Sequence, residues 1–164
     1  MRLFEGLPQS DYQDLLRALG RDLDAGGARD LRLVETDTGL TVQLRRTADL
    51  AAGFLTRRYD DEELLALLQA AYARRGSGGL VAATHQPLGV RYQDGLRAIG
   101  LLADGAGLRN LRVVEQPGAI LLQGTVGGVL RRGYRTHRLT ASQLREAATG
   151  ARRGTPGDRN PQLG

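Results

Sequence analysis

Residues 12–43 read YQDLLRALGRDLDAGGARDLRLVETDTGLTVQ, and residues 92–123 read YQDGLRAIGLLADGAGLRNLRVVEQPGAILLQ. The two stretches align without a gap at an offset of 80 residues, and about half of their positions are identical. Self-similarity at a fixed spacing is the mark of an internal duplication. The match thins further on but keeps its register: Gly53, Phe54, Thr56 and Arg58 fall on Gly133, Tyr134, Thr136 and Arg138. Two similar units are therefore expected.

Within the first copy, Ser10 and Gln13 have the spacing of a capping box. Tyr12, Leu15, Leu16, Leu19 and Leu23 then recur at helical spacing until Gly26 and Gly27 stop the helix. Residues 29–36 and 40–45 alternate apolar and polar around a turn at 37–39, which predicts two strands. A third strand is expected over 52–58, and Asp60 or Asp61 caps a second helix carrying Leu64, Leu65, Leu67 and Leu68. The second copy repeats this order. Tyr92, Leu96, Ile99 and Leu102 form a helix face, and Pro117-Gly118 suits a type II turn. Thr140 or Ser142 opens a last helix that fades near Gly150.

The expected fold class is α+β: two tandem αβββα units with pseudo-twofold symmetry, each an antiparallel three-stranded sheet with helices on one face. Residues 1–76 form the first repeat, 77–89 a linker, 90–150 the second repeat and 151–164 a disordered basic tail. Leu3 and Phe4 suit a short leading strand, and 80–84 a strand or a covered connection. Units of about 75 residues are near the lower limit for an independent core, so the two are expected to pack on each other. Gly20 and Gly100 occupy matching helix-interior positions, where glycine costs about 1 kcal/mol relative to alanine. Their retention points to close packing on the sheet or on the twin helix.

Composition narrows the function classes. The chain has 164 residues and no cysteine, which excludes disulfides, thiolate zinc sites and a cysteine nucleophile. All 23 Lys+Arg residues are arginine, so Schiff-base chemistry and a phosphate-loop lysine are excluded. Codon bias explains that usage; selection for planar contacts to carboxylate or phosphate is the other explanation. No apolar run is long enough for a membrane span, and MRLFEGLPQS lacks the apolar core of a signal peptide, which points to a cytoplasmic chain. The charge of +5 is uneven. Residues 1–76 carry 11 arginines and 13 acids, for −2, whereas 77–164 carry 12 and 5, for +7. Such asymmetry suggests an anionic partner for the second half, or contact between halves.

Polar residues kept in both copies are Asp14/Asp94, Arg17/Arg97, Arg32/Arg112, Glu35/Glu115 and Gln43/Gln123. Most are expected to stabilise helix or sheet. Arg32 and Gln43 belong to the sheet face opposite Leu31 and Leu33, which is a surface for a ligand or for the other unit. The copies differ most in the third strand, AAGFLTRR against VLRRGYRTHR. There Arg131, Arg132, Arg135, His137 and Arg138 surround Tyr134. On a strand, Arg132, Tyr134 and Arg138 share one face, and Arg131, Arg135 and His137 the other. An aromatic among guanidiniums suits stacking and phosphate contact with nucleic acid. The alternative is an edge strand protected by charge.

Other signals are rejected. Gly105-Ala-Gly107 follows a helix, so it reads as a C-cap and not as a dinucleotide loop. Asp22 and Asp24 read as helix-end residues rather than a metal pair, because only Asp24 has a counterpart, Asp104. His85 and His137 lack metal-ligand spacing. The order helix, three strands, helix resembles the topology of the double-stranded-RNA-binding domain. That family's basic, glycine-containing entry to its last helix is absent, since residues 57–64 read RRYDDEEL and 137–148 read HRLTASQLREAA. The resemblance is one of topology and carries no residue roles.

The sequence thus predicts a non-enzymatic binding protein without cofactor or metal, taking DNA or RNA on Arg131, Arg132, Tyr134, Arg135, His137 and Arg138. The alternatives are a protein-interaction or self-assembly module, in which an acidic first repeat meets a basic second repeat, and a small-ligand or enzyme site between the repeats.

Overall fold

The computed structural model describes residues 12–73, 89–128 and 131–153; the expected leading strand, most of the linker and residues 80–84 lie outside them. The fold is α+β, with four helices and a six-stranded antiparallel sheet. In chain order the first half holds α1 (Tyr12–Ala25), β1 (Ala28–Thr36), β2 (Gly39–Arg46), β3 (Leu55–Asp60) and α2 (Asp61–Ala73). The second half holds α3 (Tyr92–Ala106), β4 (Leu108–Gln116), β5 (Ala119–Gly128), β6 (Arg131–Thr140) and α4 (Ala141–Arg153). The last helix therefore runs past its expected fade, and residues 151–153, assigned to the tail, are helical.

The two meanders do not stand as separate three-stranded sheets. Strand order is β3-β2-β1-β4-β5-β6, so β1 and β4 join them edge to edge. Arg32 pairs with Val114, Leu33 with Val113 and Val34 with Arg112. An unpaired strand edge leaves amide and carbonyl groups without partners, and here each meander's first strand satisfies the other's.

One face of the sheet holds the core. Leu31, Leu33, Val42, Leu111, Val113 and Leu122 are buried there against Leu16 and Leu19 of α1 and Leu96 and Ile99 of α3. Leu64 of α2 and Leu144 of α4 close the two flanks. Both flanking helices begin at the first of their two expected caps, Asp60 and Thr140, and in each the cap is one half of a capping box. Asp60 Oδ1 accepts from the Glu63 amide at 2.9 Å while Glu63 Oε2 accepts from the Asp60 amide at 3.0 Å. Thr140 and Gln143 repeat the exchange at 3.3 and 3.0 Å. The third strand starts later than expected. Asp49 caps a short 3-10 turn over Leu50–Ala52, and Gly53, at φ 72°, redirects the chain into β3.

The central helices run antiparallel, and each caps the other. Asp104, in the last turn of α3, accepts from the amides of Tyr12 and Gln13 at 2.9 and 3.1 Å. Asp24, in the last turn of α1, accepts from Tyr92 and Gln93 at 3.0 Å each. The carboxylates thus satisfy first-turn amides that a helix leaves unpaired. Ser10 of the expected capping box lies outside the described residues, while the Gln13 amide belongs to Asp104. Burial raises the Asp24 carboxyl above its ordinary range, against the Gln93 and Tyr92 amides that lower it.

A second exchange joins the halves through the sheet. Asp30 and Asn110 have φ of 55° and 53°, conformations that Asp and Asn tolerate better than most residues. Each sits where its strand's register slips against its neighbour. The slip releases the next amide toward the other half: Leu31 donates to Glu115 at 3.1 Å, and Leu111 to Glu35 at 3.0 Å. The Tyr12 hydroxyl donates to Glu35 at 2.7 Å, and the Tyr92 hydroxyl donates to Glu115.

These contacts predict a late alkaline titration. Burial, then the hydrogen bond to Glu35, holds the Tyr12 phenol well above the usual range. Burial, then the charge of Glu115, does the same for Tyr92, and burial with Asp22 for Tyr59. A phenol raised on folding ionises first in the unfolded chain, so its stabilisation is intact below about pH 10 and is lost above it. In an absorbance titration at 295 nm these phenols should ionise only together with unfolding. Reversible ionisation of them near pH 10 in folded protein would refute the assignment.

Candidate nucleic-acid interface

Side chains alternate along a strand, so burying Leu31, Leu33 and Val42 turns Arg32, Val34, Thr41 and Gln43 to the opposite face. Among the described residues, no helix lies on that face. Pairing registers place its side chains in two rows across all six strands. One row is Thr56, Gln43, Arg32, Val114, Leu121 and Arg138; the other is Arg58, Thr41, Val34, Arg112, Gln123 and Thr136. The second row, read backwards, repeats the first except that Thr41 stands where Leu121 does. Neither row contains a carboxylate.

The guanidiniums form a band across the strands. Arg58 and Arg138 lie on the outer strands, about 24 Å apart at ordinary strand spacing. Arg32 and Arg112 are diagonal neighbours at the centre, about 7–8 Å apart. All these side chains are exposed. Arg45 is half-buried, and its charge is met by Asp30 at 3.5 Å.

An aromatic ring stands at each of two opposite corners. Phe54 precedes β3 and is 46% exposed, with the Arg32 guanidinium 4.6 Å and that of Arg45 6.0 Å from its centroid. Such stacking holds a guanidinium in place while leaving its hydrogen-bond donors outward. Tyr134 on β6 is 60% exposed. Its hydroxyl donates to Gln123 Oε1 at 3.1 Å, and Gln123 Nε2 donates to Thr136 at 3.4 Å, so the ring is braced from the neighbouring strand. Between the corners lie Val34, 40% exposed, and half-buried Val114 and Leu121. The face is cationic and flat, with apolar ground between the charges.

Of the residues predicted from sequence, Tyr134 and Arg138 belong to this face, and Arg132 pairs with Gly127 further along β6. Arg135 and His137 pair with buried Gly124 and Leu122, so they lie on the helix side of the edge strand, exposed at its margin. Arg131 pairs with Gly128. The β6 cluster is thus divided between two faces, and Tyr134 and Arg138 instead join Arg32, Arg58, Arg112 and Phe54. The matched pairs Arg58/Arg138 and Phe54/Tyr134 were the signal for this in the sequence. Their convergence required the two meanders to share one sheet.

At the joint between the halves α1 and α3 pack closely: a Cβ on Gly20 or on Gly100 would lie 2.5 Å from backbone of the other helix. A groove of about 320 Å³ opens elsewhere, at the end of α1 over Leu23, Ala28, Leu44 and Leu55. Its rim carboxylate, Asp22, is held by the Tyr59 hydroxyl at 2.9 Å and by Arg57 at 3.3 Å. That fixes Asp22 as the tie between α1 and β3. Gly107, at φ 66°, caps α3 through its amide, which is the C-cap reading of Gly105-Ala-Gly107. Among the described residues no group of three or more His, Asp or Glu could hold a metal ion, and no helix is long and apolar enough to cross a membrane. Compared with protein-family models, curated proteins and solved structures, the chain has no match.

Proposed function

We propose that the chain is a tandem pair of αβββα units acting as a cytoplasmic, non-enzymatic nucleic-acid-binding protein, with the open sheet face as its binding surface. The observation that carries this reading is the band Arg58, Arg32, Arg112 and Arg138, free of carboxylates and flanked by exposed Phe54 and Tyr134. Guanidiniums neutralise phosphates and release counterions. Aromatic rings accept bases by stacking, whatever the base. Arg135 extends the positive surface around the sheet edge, with His137 beside it and Arg131 and Arg132 continuing β6. The two-unit reading is supported by the repeated element order and by the matching rows.

The test is binding of labelled mixed-sequence DNA and RNA at two salt concentrations, beside an Arg32/Arg58/Arg112/Arg138→Ala variant. Wild type should bind at low salt and weaken as salt rises. The variant should lose at least tenfold in affinity, and its log–log salt slope should fall by about 3, since each phosphate contact contributes about 0.7–0.9. An Arg135/His137→Ala variant should lose less. No binding by wild type at low salt would overturn the proposal and leave the protein-interaction reading, which instead expects a mass that changes with salt.

A further inference from the structure

Across the joint between the halves, four kinds of contact are made twice. Asp24 takes the amides of Tyr92 and Gln93, and Asp104 those of Tyr12 and Gln13. Glu35 takes the Leu111 amide and Glu115 the Leu31 amide. Gly20 lies against the backbone of Tyr92, and Gly100 against that of Tyr12. Arg32 pairs with Val114 and Arg112 with Val34. In each case the residue types on the two sides are identical. Leu33 facing Val113 is a conservative departure.

A surface whose donors and acceptors are returned by a copy of itself is self-complementary, as at a twofold dimer interface. We infer that each half carries a docking surface for the same half of a second copy of this chain, and that the closed chain fills this surface with its own other half. Two first halves brought together regain each of these doubled contacts. Asp24 of each caps Tyr12 and Gln13 of the other, Glu35 of each takes the other's Leu31 amide, and Leu33 faces Leu33 across the axis. The inference does not depend on nucleic-acid binding. What favours the closed chain is connectivity, because a tethered half is present at an effective concentration on the order of millimolar. Chains folding in dilute solution close on themselves; chains folding near millimolar concentration also pair like with like.

The absence of cysteine makes the test clean. Directly opposed residues of an antiparallel pair have Cα atoms about 4.5–5.5 Å apart, within reach of a disulfide. In a Leu33→Cys chain that has closed on itself, the thiol faces Val113 and has no partner. Like-with-like pairing sets it against the same thiol of another chain. Full-length Leu33→Cys protein is refolded from denaturant over a range of concentrations and oxidised. A covalent dimer is expected, scarce at about 10 μM and abundant near 1 mM. A Leu33→Cys/Val113→Cys chain should cross-link within itself when dilute, which establishes that the joint tolerates the substitution. Should Leu33→Cys fail to fold, Arg32→Cys and Val34→Cys chains report the same register from the exposed face. They cross-link only when mixed, and only if first halves pair with each other. Dimer absent at every concentration, while the double variant closes internally, would overturn the inference. So would cross-linking confined to mixtures of Leu33→Cys with Val113→Cys chains, because unlike halves alone would then be complementary.

Discussion

Replacing Gly100 with valine should cost the fold about 3 kcal/mol or more, as large as the loss of a core side chain. A Cβ on Gly100 would stand 2.5 Å from the Gln13 nitrogen and the Tyr12 oxygen. Both are backbone atoms of the first turn of α1, and Asp104 clamps that turn, so neither can rotate aside. The same crowding holds at Gly20, whose Cβ would lie 2.5 Å from the Tyr92 oxygen. Alanine is the more telling substitution. Helix propensity alone would make Gly100→Ala stabilising by about 1 kcal/mol. The contact should reverse that sign and leave a net loss of about 1–3 kcal/mol, read from the midpoint of urea denaturation. Gly150→Ala is the control, because a Cβ there meets nothing within 4 Å and propensity should act unopposed. If Gly100→Ala proved as stable as wild type, the helices would have to sit further apart than described.

The same glycines show what the sequence could convey. Their retention in both copies indicated a close approach, but whether to the sheet or to the twin helix depended on how the halves meet. Local chemistry was legible. Asp60 with Glu63, and Thr140 with Gln143, form capping boxes between neighbours in the chain, and Gly118 takes the positive φ, 73°, that Pro117-Gly118 implied. The joint was not legible, because its donors and acceptors are far apart in sequence. Asp24 was readable as a helix-end residue, yet the helix end it serves begins at Tyr92. Glu35 and Glu115 were readable as repeated polar residues on strands. Their targets are amides set free by a register slip in the other half, which no pattern within one copy displays. The open sheet face was legible for the same reason only in pieces. Strand alternation gave Arg132, Tyr134 and Arg138 a common face, and the repeat gave Phe54 and Arg58 as counterparts of Tyr134 and Arg138. Pairing of β1 with β4 is what turns two arginine clusters into one band.

Glu35→Ala should be among the most damaging polar substitutions, because it takes their shared acceptor from two buried donors at once. Glu35 is 8% exposed, and its Oε2 receives both the Tyr12 hydroxyl and the Leu111 amide. A buried donor deprived of its acceptor costs about 1–3 kcal/mol, so the pair should cost about 2–6 kcal/mol. Glu35→Gln keeps one accepting oxygen and should lose less. Coupling distinguishes this account from simple loss of packing. In the Glu35→Ala background, Tyr12→Phe deletes one of the two donors that Glu35 had accepted. The double variant should therefore be more stable than the sum of the single effects implies, by about 1–2 kcal/mol in a denaturation cycle. Strictly additive losses would show that the hydroxyl and the carboxylate are not partners. The amide supplies a second readout. The left-handed conformation of Asn110 aims the Leu111 amide away from its own hairpin and into the first half. Hydrogen exchange at Leu111 should accelerate in Glu35→Ala, and exchange at Leu31 in Glu115→Ala, each substitution exposing an amide in the half it does not belong to.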